Sequence, residues 1–174
     1  MIKKILYALM ILCLTGCATV SIPRYIKDDY PYKEKISADY DSVLKAAHQA
    51  LKDLHWTVGG ESEPAVFEES KDIQDPNNKQ VMLFTEIRQS SMFLWTHYSR
   101  INVFLRGYKD EFTEVEIRYL GTTSVMFMKF AGYHNDRLAK KLLAKIKKNL
   151  TIQNSRDLGA PPKSQDADGK IPHG

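Results

Sequence analysis

The sequence predicts an α+β fold, with a helix at each end of an antiparallel sheet. Three observations carry this. An amphipathic stripe opens the folded region, alternating segments fill its middle, and a second stripe closes it. Tyr40, Val43, Leu44, Ala47, Leu51 and Leu54 recur at i, i+3, i+4, i+7, i+11 and i+14, one face of a helix, with Asp39 or Ser37 placed to cap it. Trp56 to Val58 reads as a short extended piece, and Gly59-Gly60 as a turn. Ala65 to Ser70 and Gln80 to Gln89 are candidate strands. Tyr98 to Arg106 alternates clearly, with Ile101, Val103 and Leu105 opposed by Arg100, Asn102 and Arg106. After a turn at Gly107 to Glu111, Phe112 to Leu120 repeats the pattern: Val115, Ile117 and Tyr119 against Glu114, Glu116 and Arg118. One-sided alternation predicts a sheet with one solvated face. The last helix spans about Asn135 to Leu150. Leu138, Leu142, Ile146 and Leu150 line one side, thickened by Ala139 and Leu143. Arg137, Lys140, Lys141, Lys145, Lys147 and Lys148 line the other. Both helices are expected on one face of a sheet of about four to five strands, where both apolar stripes are buried.

Ahead of this domain, Lys3 and Lys4 form a basic start and Ile5 to Leu14 an almost wholly apolar run. That run is shorter than the ~20 residues of a spanning helix and has the layout of a secretory signal. It ends in Leu14-Thr15-Gly16-Cys17. This tetrapeptide resembles the lipobox of bacterial lipoproteins. The resemblance implies cleavage before Cys17, a diacylglycerol on its thiol and acylation of the freed amine, with palmitate-class chains. Such an anchor holds a protein stably, where a single chain does not. Ala18 follows where, in that family, Asp favours inner-membrane retention. The resemblance therefore implies the outer membrane, facing the periplasm. The expected organisation is a signal peptide over 1–16, a lipidated N-terminus and tether over 17–36, an α+β domain over 37–152 and a disordered tail over 153–174. Residues 18–36 contain Pro23 and Pro31 and show no period; fully extended they reach at most about 60 Å. The tail is rich in Pro, Gly, Asp and Ser.

The order helix, strands, helix behind a lipobox and tether is similar to small periplasmic lipoprotein domains of helix-grip shape, such as those of the C-type lipoprotein of the outer-membrane barrel-assembly machinery. The residues carrying this likeness are Asp39 to Val58, Asn135 to Leu150 and the strands between. It implies a fold more than an activity.

Removing a 16-residue leader from 174 residues leaves 158, enough for one cored domain. The net charge of +4 includes Lys3 and Lys4, so the mature chain is close to neutral and carries no footprint for nucleic acid. Cys13 leaves with the leader and Cys17 is the anchor. The domain then has no thiol for a disulfide, a zinc site or a nucleophile.

No catalytic motif emerges, and no metal or cofactor is expected. His48 and His55 are seven apart rather than the four of a helical zinc pair. His48 should face solvent, and His134 can cap the last helix. Glu68 with Glu69, or Glu114 with Glu116, could be paired carboxylates. Glu114 and Glu116, however, sit on the expected solvent face, where Arg100 or Arg106 suffices as partner. Two stretches break the inside-outside rule: Met92-Phe93-Leu94-Trp95, and Val125-Met126-Phe127-Met128-Lys129-Phe130. Either they are core, or they form an exposed patch that docks on a protein or a lipid. Phe93, Leu94, Trp95, Phe127 and Met128 are the candidate contact residues. The basic face of the last helix is either simply solvated or touches anionic head groups.

The function class expected is a non-enzymatic, membrane-anchored periplasmic lipoprotein acting as an envelope interaction or assembly module, with an envelope protein as partner. The alternative is a lipid- or small-molecule-binding module with a cavity between helices and sheet. An envelope hydrolase would need polar side chains converging in a cleft.

Overall fold

The computed structural model describes residues 21–68, 79–108, 112–125 and 128–159, the last four by backbone alone. Cys17 and Phe127 lie outside the described residues, as do 69–78 and 160–174. The elements run β1 (Tyr32–Ile36), α1 (Tyr40–Asp53), β2 (Val58–Ser62), β3 (Gln80–Thr85), β4 (Arg88–Met92), β5 (Trp95–Tyr108), β6 (Phe112–Val125), β7 (Met128–Gly132) and α2 (Asp136–Gly159). The sheet is antiparallel and has seven strands, more than the four to five expected.

The central hairpin of β5 and β6 is long, 14 residues a strand, and the sheet divides along it. At one end the order is β1-β6-β5-β3-β2; this is the body. At the other, β4 and β7 replace the outer strands, giving β4-β5-β6-β7; this is the flap. The expected strand Gln80 to Gln89 splits at the boundary. β3 pairs with β5 as far as Phe84 opposite Asn102, and β4 resumes at Arg88 opposite Ser99. Between them the Thr85 hydroxyl stands in for the ladder. It accepts from Ile101 N at 2.9 Å and donates to Ile101 O at 3.0 Å. Glu86 N turns away to Thr57 O. A side chain that satisfies the neighbouring strand lets its own backbone leave the sheet.

Both helices pack on one face of the body. Val43, Ala47 and Leu51 of α1 and Leu142, Ile146 and Leu150 of α2 meet Leu83, Ile101, Val103, Leu105, Val115 and Ile117 in one continuous cluster. The carboxylate of Asp39 accepts from Ser42 N at 2.9 Å and caps α1; hydrogen bonding from the Ser42 side chain and then its backbone N–H holds the carboxyl below its ordinary pKa. Asn135, not His134, caps α2, accepting from Leu138 N at 3.0 Å. The helix runs past Leu150 to Gly159, so residues 153–159 are helical rather than tail. The hydroxyls of Thr151 and Ser155 bond back to carbonyls one turn earlier and keep the turns closed.

Three further expectations are corrected. Gly59-Gly60 is no turn but lies in β2, at a shift in register; a Cβ on Gly60 would run into the Arg24 guanidinium. Ala65 to Val66 belongs to a 3₁₀ turn opened by Pro64, which cannot donate to a ladder. In the body, the opposite face of the sheet is covered rather than solvated. The stretch expected to be a tether lies across it from residue 21 and then adds β1 to β6. Pro23 O accepts from Arg100 and Arg24 O from Asn102. Ile26 is fully buried, and Tyr25 stacks on Phe67 above Met82, Phe84 and Phe104. This strap makes Asn102, Glu116 and Arg118 buried residues. It was hidden in the sequence because a segment covering a sheet without being helix or strand has no period.

Candidate contact surface at the flap

Phe93-Leu94 turns β4 into β5 at the end of the flap, and β6 and β7 pair as far as Val125 opposite Met128. The registers place Met92 opposite Trp95, Trp95 opposite Val125, and Val125 opposite Met128. Paired residues on antiparallel strands share a face. Four apolar side chains therefore form one row across all four strands, on the side that the helices cover in the body. Behind them lies a polar row, Ser91, Thr96, Ser124 and Lys129, facing the other way. The next row returns to the first face with Ser90, His97, Thr123 and Phe130.

Among the described residues, no helix covers this end. Phe93 is 99 % exposed at the apex and Trp95 38 % exposed; Met92, Leu94, Val125, Met128 and Phe130 are exposed as well. Phe93, Leu94, Trp95 and Met128 are thus brought together, from stretches some thirty residues apart in sequence. Sequence reasoning missed the row itself. The signal was there: a short connection between two strands fixes their pairing, and with it which residues stand side by side.

At the base of the flap, the His97 ring joins Thr123 Oγ1 through Nδ1 at 2.9 Å and Tyr119 Oη through Nε2 at 3.1 Å. Gly121 makes this bridge possible, because a Cβ there would lie 2.6 Å from the Tyr119 oxygen and 3.0 Å from the imidazole. Both ring nitrogens are occupied by hydroxyls of β6, so the imidazole ties the hairpin together. His48 pairs with Glu61 at 3.1 Å on the surface, and His134 stands 3.9 Å from Asp28. Among the described residues no group of His, Cys, Asp and Glu could hold a metal ion, and no helix is long and apolar enough to cross a membrane.

Buried charge is concentrated under the strap. The Arg118 guanidinium meets Glu116 and Glu68, each at 2.5 Å, and donates to Tyr25 Oη at 2.8 Å. Lys33 closes on Glu116 at 2.9 Å. Burial pulls the Arg118 pKa down, but Glu116 and Glu68 outweigh it and raise it above its ordinary value. Burial pushes Glu68 up, and the bonds from Tyr25 and Arg118 outweigh that and hold its carboxyl below the usual range. Glu114 pairs with Arg106 as expected, at 3.7 Å. Glu116 does not pair with Arg100, whose guanidinium is spent on the strap carbonyls. With Arg118 between Glu116 and Glu68, these carboxylates are clamped in place rather than poised as an acid and a base. On the basic face of α2, Lys145 pairs with Asp53 at 3.1 Å and Lys147 with Glu34, so part of that charge ties α2 to α1 and β1.

Two concavities flank the helices. A broad groove runs along α1 beside His48, Lys52, Trp56 and Asn149. A cleft of about 280 Å³ lies between the strap and the start of α2, walled by Tyr30, Tyr32, Tyr119 and Tyr133. No protein-family model matches the chain, and no curated protein matches it in sequence.

Proposed function

We propose that this is a non-enzymatic, lipid-anchored protein of the bacterial cell envelope. It is held through Cys17 at the periplasmic face of the outer membrane, and uses the flap as its contact surface. The helix-grip likeness belongs to the same reading: the body is the scaffold, and the flap is what it presents. The observation that carries this is the apolar row Met92, Trp95, Val125 and Met128, topped by Phe93 and left without cover. A patch of that kind on a sheet end marks an interaction site. The ligand-cavity reading has less behind it, because the space between helices and body sheet is taken up by one continuous cluster of buried side chains.

In-cell photo-crosslinking from positions 93 and 95 of the anchored protein tests the reading. A discrete adduct with an envelope component, protein or lipid, is the expected result. Labelling by solvent alone at both positions would overturn it. Incorporation of palmitate, lost in Cys17→Ser, tests the anchor.

A further inference from the structure

The length of chain between anchor and domain says what the flap meets. We infer that the flap tip seats shallowly in the same membrane leaflet that holds the Cys17 lipid. This rests on the lipid anchor proposed above. The strap is clamped as far as Ile22 and Pro23, whose carbonyls accept from Arg100. From Cys17 to Ile22 is five residues, which reach at most about 18 Å. The leaflet surface must therefore lie within that distance of the Arg100 position. Along β5, Trp95 is five residues from Arg100, about 17 Å at the rise of a strand. The strap also heads the right way: its contacts step from Asn102, held by Arg24 O, to Arg100, two residues nearer the tip. The five residues are thus long enough to bring anchor and tip to the same height.

The tip's chemistry is graded for that height. Phe93 and Leu94 come first and the row with Trp95 next, followed by three hydroxyls and the Lys129 ammonium. Aromatic side chains settle at the interface between acyl chains and head groups, and lysine reaches back toward the head groups. The edges set a limit on depth. Among the described residues, no strand pairs with the outer sides of β4 and β7. Their backbone groups cannot enter hydrocarbon unsatisfied, so the flap dips into the interface and does not span.

The domain has no thiol of its own, so Phe93→Cys gives a single labelling site in the lipidated full chain. Lys45→Cys, on the exposed side of α1, gives the control. Each is labelled with an environment-sensitive fluorophore and reconstituted into vesicles of phosphatidylethanolamine and phosphatidylglycerol. The vesicles carry phosphatidylcholine brominated near the head group. The label at 93 should shift to the blue and lose its emission to bromine, and the label at 45 should do neither. If a lipidated protein keeps the label at 93 as water-exposed as that at 45, the insertion is overturned and the anchor stands. A protein adduct from position 93 in cells also overturns the insertion and assigns the tip to a protein partner. If intact mass shows no diacylglycerol on Cys17, the anchor falls, and the insertion argument falls with it.

Discussion

Body and flap are built from the same two strands, and differ in what lies over them. In the body the helix-side residues of β5 and β6, Ile101, Val103, Leu105, Val115 and Ile117, are buried under α1 and α2. In the flap the same face of the same strands carries Trp95, His97, Thr123 and Val125, and no helix among the described residues covers it. Alternation along a strand reports that two faces differ, not what covers either. Cover is decided by other parts of the chain, here a helix on one side and a strap on the other.

Mutations can sharpen this contrast. The largest effect should come from Arg118→Leu, which leaves Glu116 and Glu68 facing each other under the strap. Breaking a buried pair by removing one partner costs on the order of 3–5 kcal/mol, and chemical denaturation would read it. A loss below about 1 kcal/mol, typical of exposed pairs, would mean that the strap does not seal the back face. Leu142→Ala, at a fully buried site of α2, should cost about 2–5 kcal/mol by the same measurement. A near-neutral result would place α2 off the body.

Acid should act on the strap before it acts on the helices. The Glu68 carboxyl is held below its ordinary value of 4.5. Its contribution is therefore complete above that value and is lost as pH falls through the lower, folded one. Hydrogen-exchange protection factors of residues 21–30, corrected for the intrinsic rate at each pH, should fall below pH 4.5 while those of α1 hold; simultaneous loss of both would contradict a separate strap. The smallest effect is expected from Phe93→Ser, within about 0.5 kcal/mol, as for other exposed sites. If that change unfolds the protein, the tip is core after all and the contrast between flap and body collapses.

The sequence was informative wherever a period exists. Both helices, the Asp39 cap and the two long strands were legible, since burial on one side writes i, i+4 or alternation into the residues. Glu114, Glu116 and Arg118 misled for the same reason. Charge alternation looks identical whether the polar face meets water or a clamp of opposite charge. Met92 to Trp95 and Val125 to Phe130 were both legible as exceptions, but only the register joins Val125, Met128 and Phe130 to the same surface as Met92 and Trp95.

The strap also constrains the order in which the chain folds. Tyr25 and Ile26 are secured by Arg118, 93 and 92 residues further along the chain. A chain delivered N-terminus first cannot bury Ile26 until β6 has arrived, and such distant contacts close late. On the lipid-anchor reading proposed above, residues 21–26 stay unclamped until then, and Cys17 would be open to the enzyme that processes it. Closing the strap would then mark the end of folding and set the short reach of the proposed anchor.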